Sequence, residues 1–259
     1  MGAWRRIALV ASGVVALLAS AGAGKTEANA QPDTSGHWRF SVTPYLWLVG
    51  LHGKVGVRDF VADVNLSTSD ILDMLQFGIM GSGEARYGPW VIAADGIYAK
   101  LGAGKVVAIR GDTGSLDYKQ TETIIQPVGG YSFGPRLGWW GVDVLGGFRY
   151  WHLGATLEVN RPNVPSNEHS NSRSWVDVTG GLRAHFTPIP AFHITAGGDG
   201  GGGGSKGSWQ AYGALGYDAW HRWTFSVAYR SLWVNYDHDN FLFDTDSRGA
   251  LIAVTYRFY

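Results

Sequence analysis

Three histidines, His152, His185 and His193, are the side chains best placed in pKa to carry a proton near neutral pH. With Asp177 or Asp199 as an orienting acid and Ser174 as a nucleophile, they would supply the parts of a hydrolase. Nothing in the sequence brings them together, and no G-x-S-x-G nucleophile elbow is expected. A lone inward histidine more often only satisfies hydrogen bonds, so no catalytic residue is expected. Asp237, Asp239, Asp244 and Asp246, with His238 between the first two, form an acidic loop that a divalent cation could bridge to lipopolysaccharide, while His221 lies on a turn. The plainer reading is a solvated loop, with no metal ligand set and no cofactor. The glycine run 200–204 lacks the Lys-Ser/Thr placement and the following helix of a phosphate loop, so a flexible surface tip is expected.

A second set of charges is more regular. Arg39, Glu84, Arg86, Asp95, Glu122, Asp143, Arg149, Asp177, Arg183, Asp218, Arg230 and Arg257 each sit amid apolar or small neighbours, and their signs nearly cancel. Unpaired charge in a narrow interior is costly, so a ladder of mutual ion pairs is expected. A charge-lined conduit for small polar solutes is the sharper alternative. Gly141, Gly147, Gly181, Gly197 and Gly216 share the same faces and leave room for arginine side chains or water.

The elements that must hold these charges are strands. Side chains alternate across a strand, and period-two patterning recurs at 38–48, 77–87, 90–101, 116–133, 140–151, 176–186, 192–197, 209–218, 223–230 and 250–258. The last of these has Ala250, Ile252, Val254, Tyr256 and Phe258 on one face and Arg257 on the other. A membrane barrel turns the apolar face to lipid and the mixed face to its lumen. Short connections lie at Gly88-Pro89, Gly134-Pro135, Pro188-Ile189-Pro190 and Trp220-His221-Arg222. Long polar ones, read as loops, lie near 104–115, 160–173, 199–207 and 237–247. In bacterial barrels the short turns face the periplasm and the long loops the outside. Trp38, Tyr87, Trp90, Tyr131, Trp140, Phe186, Tyr217, Trp223 and Phe258 cluster beside the short turns and read as an interfacial aromatic girdle.

Ten membrane strands are expected, with eight or twelve as alternatives. Between the first two lies an excursion with a small hairpin (54–58 with 62–66) and a short helix capped by Ser69, with Ile71, Leu72 and Leu75 as its apolar stripe. Twelve strands would follow if that hairpin crossed the membrane. Residues 1–30 read as a signal peptide: Arg5 and Arg6, an apolar stretch 7–19, and cleavage after Ala23 or Ala30. Residues 31–259 then form one barrel domain. Balanced charge, 21 basic against 21 acidic residues, argues against a nucleic-acid partner. The absence of cysteine fits export through an oxidising periplasm.

Three segments carry a resemblance. They are Leu46-Trp47-Leu48-Val49-Gly50-Leu51-His52-Gly53, Asp63 through Leu72, and Glu84-Ala85-Arg86-Tyr87-Gly88-Pro89-Trp90. Gly146 through Trp151, Trp175 through Arg183, and Tyr229 through Tyr236 extend it over nearly the whole mature chain. The sequence resembles a group of uncharacterised, porin-like outer-membrane β-barrel proteins of Gram-negative bacteria. That resemblance implies an all-β antiparallel barrel with no settled activity. The expected role is structural or porin-like, with a narrow charge-paired lumen. A lipid-modifying enzyme and an adhesin acting through long loops are the alternatives. The expected partners are outer-membrane lipid, lipopolysaccharide, and the barrel-assembly machinery through the terminal strand.

Overall fold

The computed structural model describes residues 36–57, 60–109, 112–134, 139–161 and 164–258. The signal-peptide reading of residues 1–30 and the terminal Tyr259 lie outside the described residues. Eleven strands and one helix are present among the described residues. They are β1 (Trp38–Val57), β2 (Phe60–Leu66), α1 (Thr68–Met74), β3 (Leu75–Tyr87), β4 (Trp90–Ile109), β5 (Asp112–Phe133), β6 (Trp140–Arg161), β7 (Val164–Ile189), β8 (Phe192–Gly203), β9 (Gly207–Trp220), β10 (Trp223–His238) and β11 (Phe241–Phe258).

Each strand pairs antiparallel with its neighbour, and β1 closes on β11 from Phe40↔Phe258 to Val57↔Phe241. Closure leaves no bare edge around the ring, which a sheet in lipid requires. The other edge of β1 carries two partners in succession. β3 pairs with Trp38–Pro44, and β2 pairs with Leu51–Val57. β2 and β3 therefore share one stave, interrupted by α1. Eleven strands thus make ten staves, and the hairpin prolongs the wall instead of crossing the membrane.

The outer face is apolar at the expected alternate positions. Trp38, Phe40, Val42 and Leu46 of β1, Ile79 of β3 and Leu182 of β7 are all exposed. So are Trp90 and Ile92 of β4 and Val227 and Tyr229 of β10. A soluble sheet could not leave such a band bare, and lipid is its solvent.

Two features differ from the sequence reading. Most of the stretches expected as long loops are strand: β4 and β5 run to Ile109 and Asp112, β6 and β7 to Arg161 and Val164, and β10 and β11 to His238 and Phe241. Threonine-, valine- and asparagine-bearing stretches there continue the ladder beyond the membrane, because each extended strand has a partner to satisfy its backbone. The glycine run is no flexible tip either. Gly200, Gly201, Gly202 and Gly203 belong to β8 and pair with β7. A Cβ on Gly201 would stand 1.9 Å from the Val178 carbonyl oxygen, so glycine is needed for close strand approach.

The helix cap lies two residues earlier than expected. Ser67, not Ser69, is the N-cap: the Ser67 hydroxyl accepts from the Asp70 amide, and the Asp70 carboxylate accepts from the Ser67 amide at 2.8 Å. Ser69 instead shares a hydrogen bond with the Ser67 hydroxyl. These bonds to Ser67 hold the Asp70 carboxyl below its ordinary value. Ile71 is the buried anchor of the helix.

Candidate functional site: a layered lumen

The interior is built in layers because residues at equal height on neighbouring staves face inward together. Near the short-turn rim, Asp143 on β6 accepts from Arg86 on β3 (2.8 Å), from Arg183 on β7 (3.0 and 2.8 Å), and pairs with His185 (2.8 Å). Glu84 bridges the same two arginines, at 2.5 Å to each. Beside this cluster, Asp218 on β9 pairs with His193 (2.5 Å) and Arg257 (3.0 Å) and accepts from Thr224. Asp143 and Asp218 are fully enclosed, and each has at least two cationic or proton-bearing partners.

A second polar layer crosses mid-barrel. Arg230 on β10 pairs with Asp95 on β4 at 3.0 Å, and Tyr45 donates to the same carboxylate at 2.9 Å. Arg149 on β6 pairs with Asp199 on β8 and donates to Gln126 and Ser208. Gln210 bridges Gln126 and Asp199. Asp177 accepts from the amide and the hydroxyl of Ser205, at 2.7 and 2.8 Å.

Two residues further along the same strands the chemistry reverses. Tyr45 gives way to Trp47, Asp95 to Ile97, Gln126 to Ile124, Arg149 to Trp151, Asp177 to Trp175 and Arg230 to Leu232. Two residues advance a strand by about 6.7 Å. These six, with Leu153, Val234, Tyr236 and Phe243, form one apolar cluster whose members are 1–6% exposed. Trp151, Trp175 and Tyr236 stack in series, with centroids 5.6 and 4.1 Å apart. The Arg230 guanidinium lies 5.1 Å from the Trp47 ring and joins the two layers. This aromatic plate lies across the lumen on the long-hairpin side. Sequence reasoning missed it; its signal is that inward positions on six staves turn from polar to apolar at one height.

Between the two polar layers lies a cavity of about 410 Å³, lined by Glu84, Asp95, Arg183, Tyr212, Arg230 and hydroxyl residues among others. A smaller one, about 190 Å³, lies beside Thr187 and His193 near the Pro190-Ala191 turn, and shares His185, Ser226 and Arg257 with the first. The cavity space therefore reaches toward the short-turn rim. The space expected for arginine at the glycines is used otherwise. The Tyr212 ring lies over Gly197, 2.7 Å from where a Cβ would be, and Asp199 packs on Gly181.

The remaining ladder residues lie as follows. Arg39 lies on the inward face at the register of Arg86. Glu122 faces inward two residues from Ile124, at the level of the aromatic plate. The girdle residues Trp38, Tyr87, Trp90, Tyr131, Trp140, Tyr217, Trp223 and Phe258 are exposed at the short-turn rim, and Phe186 there packs edge-on against Trp139 at 5.0 Å.

The proton-transfer candidates are scattered. His152 meets Ser174 at 2.8 Å on the outer face, with Asp177 on the opposite, inward face of β7. His185 and His193 are held by Asp143 and Asp218, not by Asp177 or Asp199. His193 also contacts Thr187 at 3.2 Å. Contrary to expectation, two G-x-S-x-G strings do occur, at Gly130-Tyr131-Ser132-Phe133-Gly134 and Gly203-Gly204-Ser205-Lys206-Gly207. Neither is a strand-to-helix elbow: the first ends β5, and the second joins β8 to β9 with its serine bound to Asp177. The four loop aspartates are spread over strands and a turn. Asp237 pairs with Lys206 at 2.5 Å, a bond that lowers its pKa. Asp244 accepts from Trp233, and Asp246 from Ser231 and Arg248. No group able to hold a metal occurs among the described residues.

No protein-family model matches the sequence, and no curated protein is significantly similar to it. Solved structures are similar in fold. The outer membrane protease OmpT from Escherichia coli superposes with a TM-score of 0.58 at 8% identity, covering 86% of this chain and 98% of that one. The translocator domain of the autotransporter NalP from Neisseria meningitidis gives 0.40 at 14% identity, covering 98% and 94%. The attachment protein Ail of Yersinia pestis gives 0.32 at 15%, covering 85% and 98%. The closed ten-stave sheet with its lipid-facing band, together with the likeness to OmpT, identifies the chain as an outer-membrane β-barrel fold.

Proposed function

We propose that this protein is an integral barrel of the bacterial outer membrane with a structural role, its lumen a blind vestibule open only toward the periplasm. One observation supports this reading above the others: the plate of Trp47, Ile97, Ile124, Trp151, Trp175 and Leu232 across the lumen. An ion crossing it would shed its water against side chains that offer no replacement ligands. Charge pairing below the plate holds the staves together, and the outer apolar band and girdle seat the barrel in lipid. Lipopolysaccharide at the long hairpins and the assembly machinery at β11 are the partners this placement suits. Catalysis is not part of the reading, because among the described residues no carboxylate is bonded to the His152 of the outward His152–Ser174 pair.

The test is single-channel recording of purified, folded protein in planar bilayers. The reading expects no discrete conductance steps at about 100 mV in molar salt. Reproducible steps from the wild-type chain would replace it with the porin reading.

A further inference from the structure

We infer that the vestibule is a binding site for a small neutral polyhydroxylated molecule, of monosaccharide size, entering from the short-turn rim. The inference builds on the closed-plate reading but is tested without it. A cavity of about 410 Å³ lies within the size range of small-molecule sites. Its walls decide the ligand's chemistry.

The charges on the wall are already paired. Glu84 holds Arg86 and Arg183, Asp95 holds Arg230, Asp199 holds Arg149, and Arg257 holds Asp218. A charged ligand would have to break one of these pairs or stay unpaired itself, and either is costly in an enclosed site. Five of the nine hydroxyls on the wall are in the opposite condition. Those of Ser41, Ser82, Thr195, Ser226 and Tyr212 face the cavity, and none has a hydrogen-bond partner among the described residues. They can donate and accept. Asp95 and Asp199 keep lone pairs for further donors. Between the polar groups the wall is alanine and glycine at Ala93, Ala214, Ala228 and Gly180, which suits the C–H faces of a ring. Unpaired hydroxyls, small apolar patches and mutually cancelled charge together match a polyol and disfavour an ion.

The experiment is equilibrium dialysis of the purified full chain, folded in an amine-oxide detergent without a sugar headgroup, against labelled D-glucose. Competition uses myo-inositol, gluconate and glucosamine. Saturable binding near one site per chain is expected, displaced by inositol and at least about tenfold less well by the two charged probes. Tyr212→Phe removes one hydroxyl while keeping the ring over Gly197, and is expected to weaken binding about three- to tenfold. Ser226→Leu fills the cavity and is expected to abolish binding, with heat-modifiable migration on a gel confirming that it folds. The inference is overturned by no saturable binding of glucose or inositol up to about 50 mM. It is equally overturned by binding that neither variant changes, or by charged probes that bind as well as neutral ones. A silent bilayer with no sugar binding refutes this inference alone; a conducting barrel that binds sugar refutes only the plate.

Discussion

Removing Trp175 tests whether the aromatic plate is a packed layer. The ring is 5% exposed and lies between Trp151 and Tyr236, 5.6 and 4.1 Å from their centroids. Tryptophan-to-alanine changes in cores cost about 3–5 kcal/mol through lost burial and the void left behind. A second effect opposes this. The Trp175 Nε1 hydrogen is buried with no partner among the described residues. Such a donor carries a desolvation cost of about 1–3 kcal/mol that disappears with the ring. The packing loss wins, and Trp175→Ala should destabilise the barrel by about 2–3 kcal/mol. Trp175→Phe keeps a ring against Tyr236 and deletes the orphan donor, so it should fall within about 1 kcal/mol of wild type. Urea unfolding in phospholipid bilayers, followed by electrophoretic mobility, separates the two. Equal losses for phenylalanine and alanine would mean that the indole N–H is bonded and the packing argument is misplaced. No loss for alanine would mean that the plate is not packed.

The charge clusters, the glycine run and the helix cap give three more expectations. Asp143→Asn strips Arg86 and Arg183 of a shared buried partner; because Glu84 remains and both arginine side chains are 15–17% exposed, the cost should be about 2–3 kcal/mol, below the full price of an orphaned charge. Denaturant midpoints check this, and a change under about 0.5 kcal/mol would show the cluster to be solvated. Gly201→Ala drives a methyl into the Val178 carbonyl and should prevent heat-modifiable folding, whereas Gly213→Ala meets nothing within 4 Å and should fold as wild type. The Asp70 carboxyl has a depressed folded value, so its contribution to α1 is present above the ordinary carboxylate range and lost as pH falls through that depressed value. Hydrogen exchange at the Ile71 amide should therefore accelerate beyond its intrinsic pH trend on acidification, and Ser67→Ala should abolish that extra acceleration.

The staves were legible because lipid imposes a strict period of two on every crossing. Ile79, Leu182 and Val227 on the outer face, and Arg86, Arg183 and Arg230 on the inner, follow from alternation alone. Their inward partners were not legible. Asp143 joins Arg86 and Arg183 only because β3, β6 and β7 bring them to one height, and height depends on stagger between staves, which no single strand encodes. The extended hairpins were misread as loops for a related reason. Outside lipid the outward face meets water, so Asn171 and Asp244 can sit in strands with no lipid-facing apolar stripe to mark them. Ser67 was passed over for Ser69, although Ser67 with Asp70 three residues later is the pattern of a capping box.

The central claim is that the lumen is reached from the periplasm and sealed from outside. The wild-type chain has no cysteine, so single-cysteine variants report cleanly. Ser226→Cys places a thiol in the vestibule, and Lys206→Cys places one at the long-hairpin rim, where the side chain is 55% exposed. With a membrane-impermeant maleimide on a large polymer, only Lys206→Cys should react in intact cells. A small maleimide admitted to the periplasm should then label Ser226→Cys. Labelling of Ser226→Cys from outside by the large reagent, or protection of Lys206→Cys in intact cells, would contradict the account.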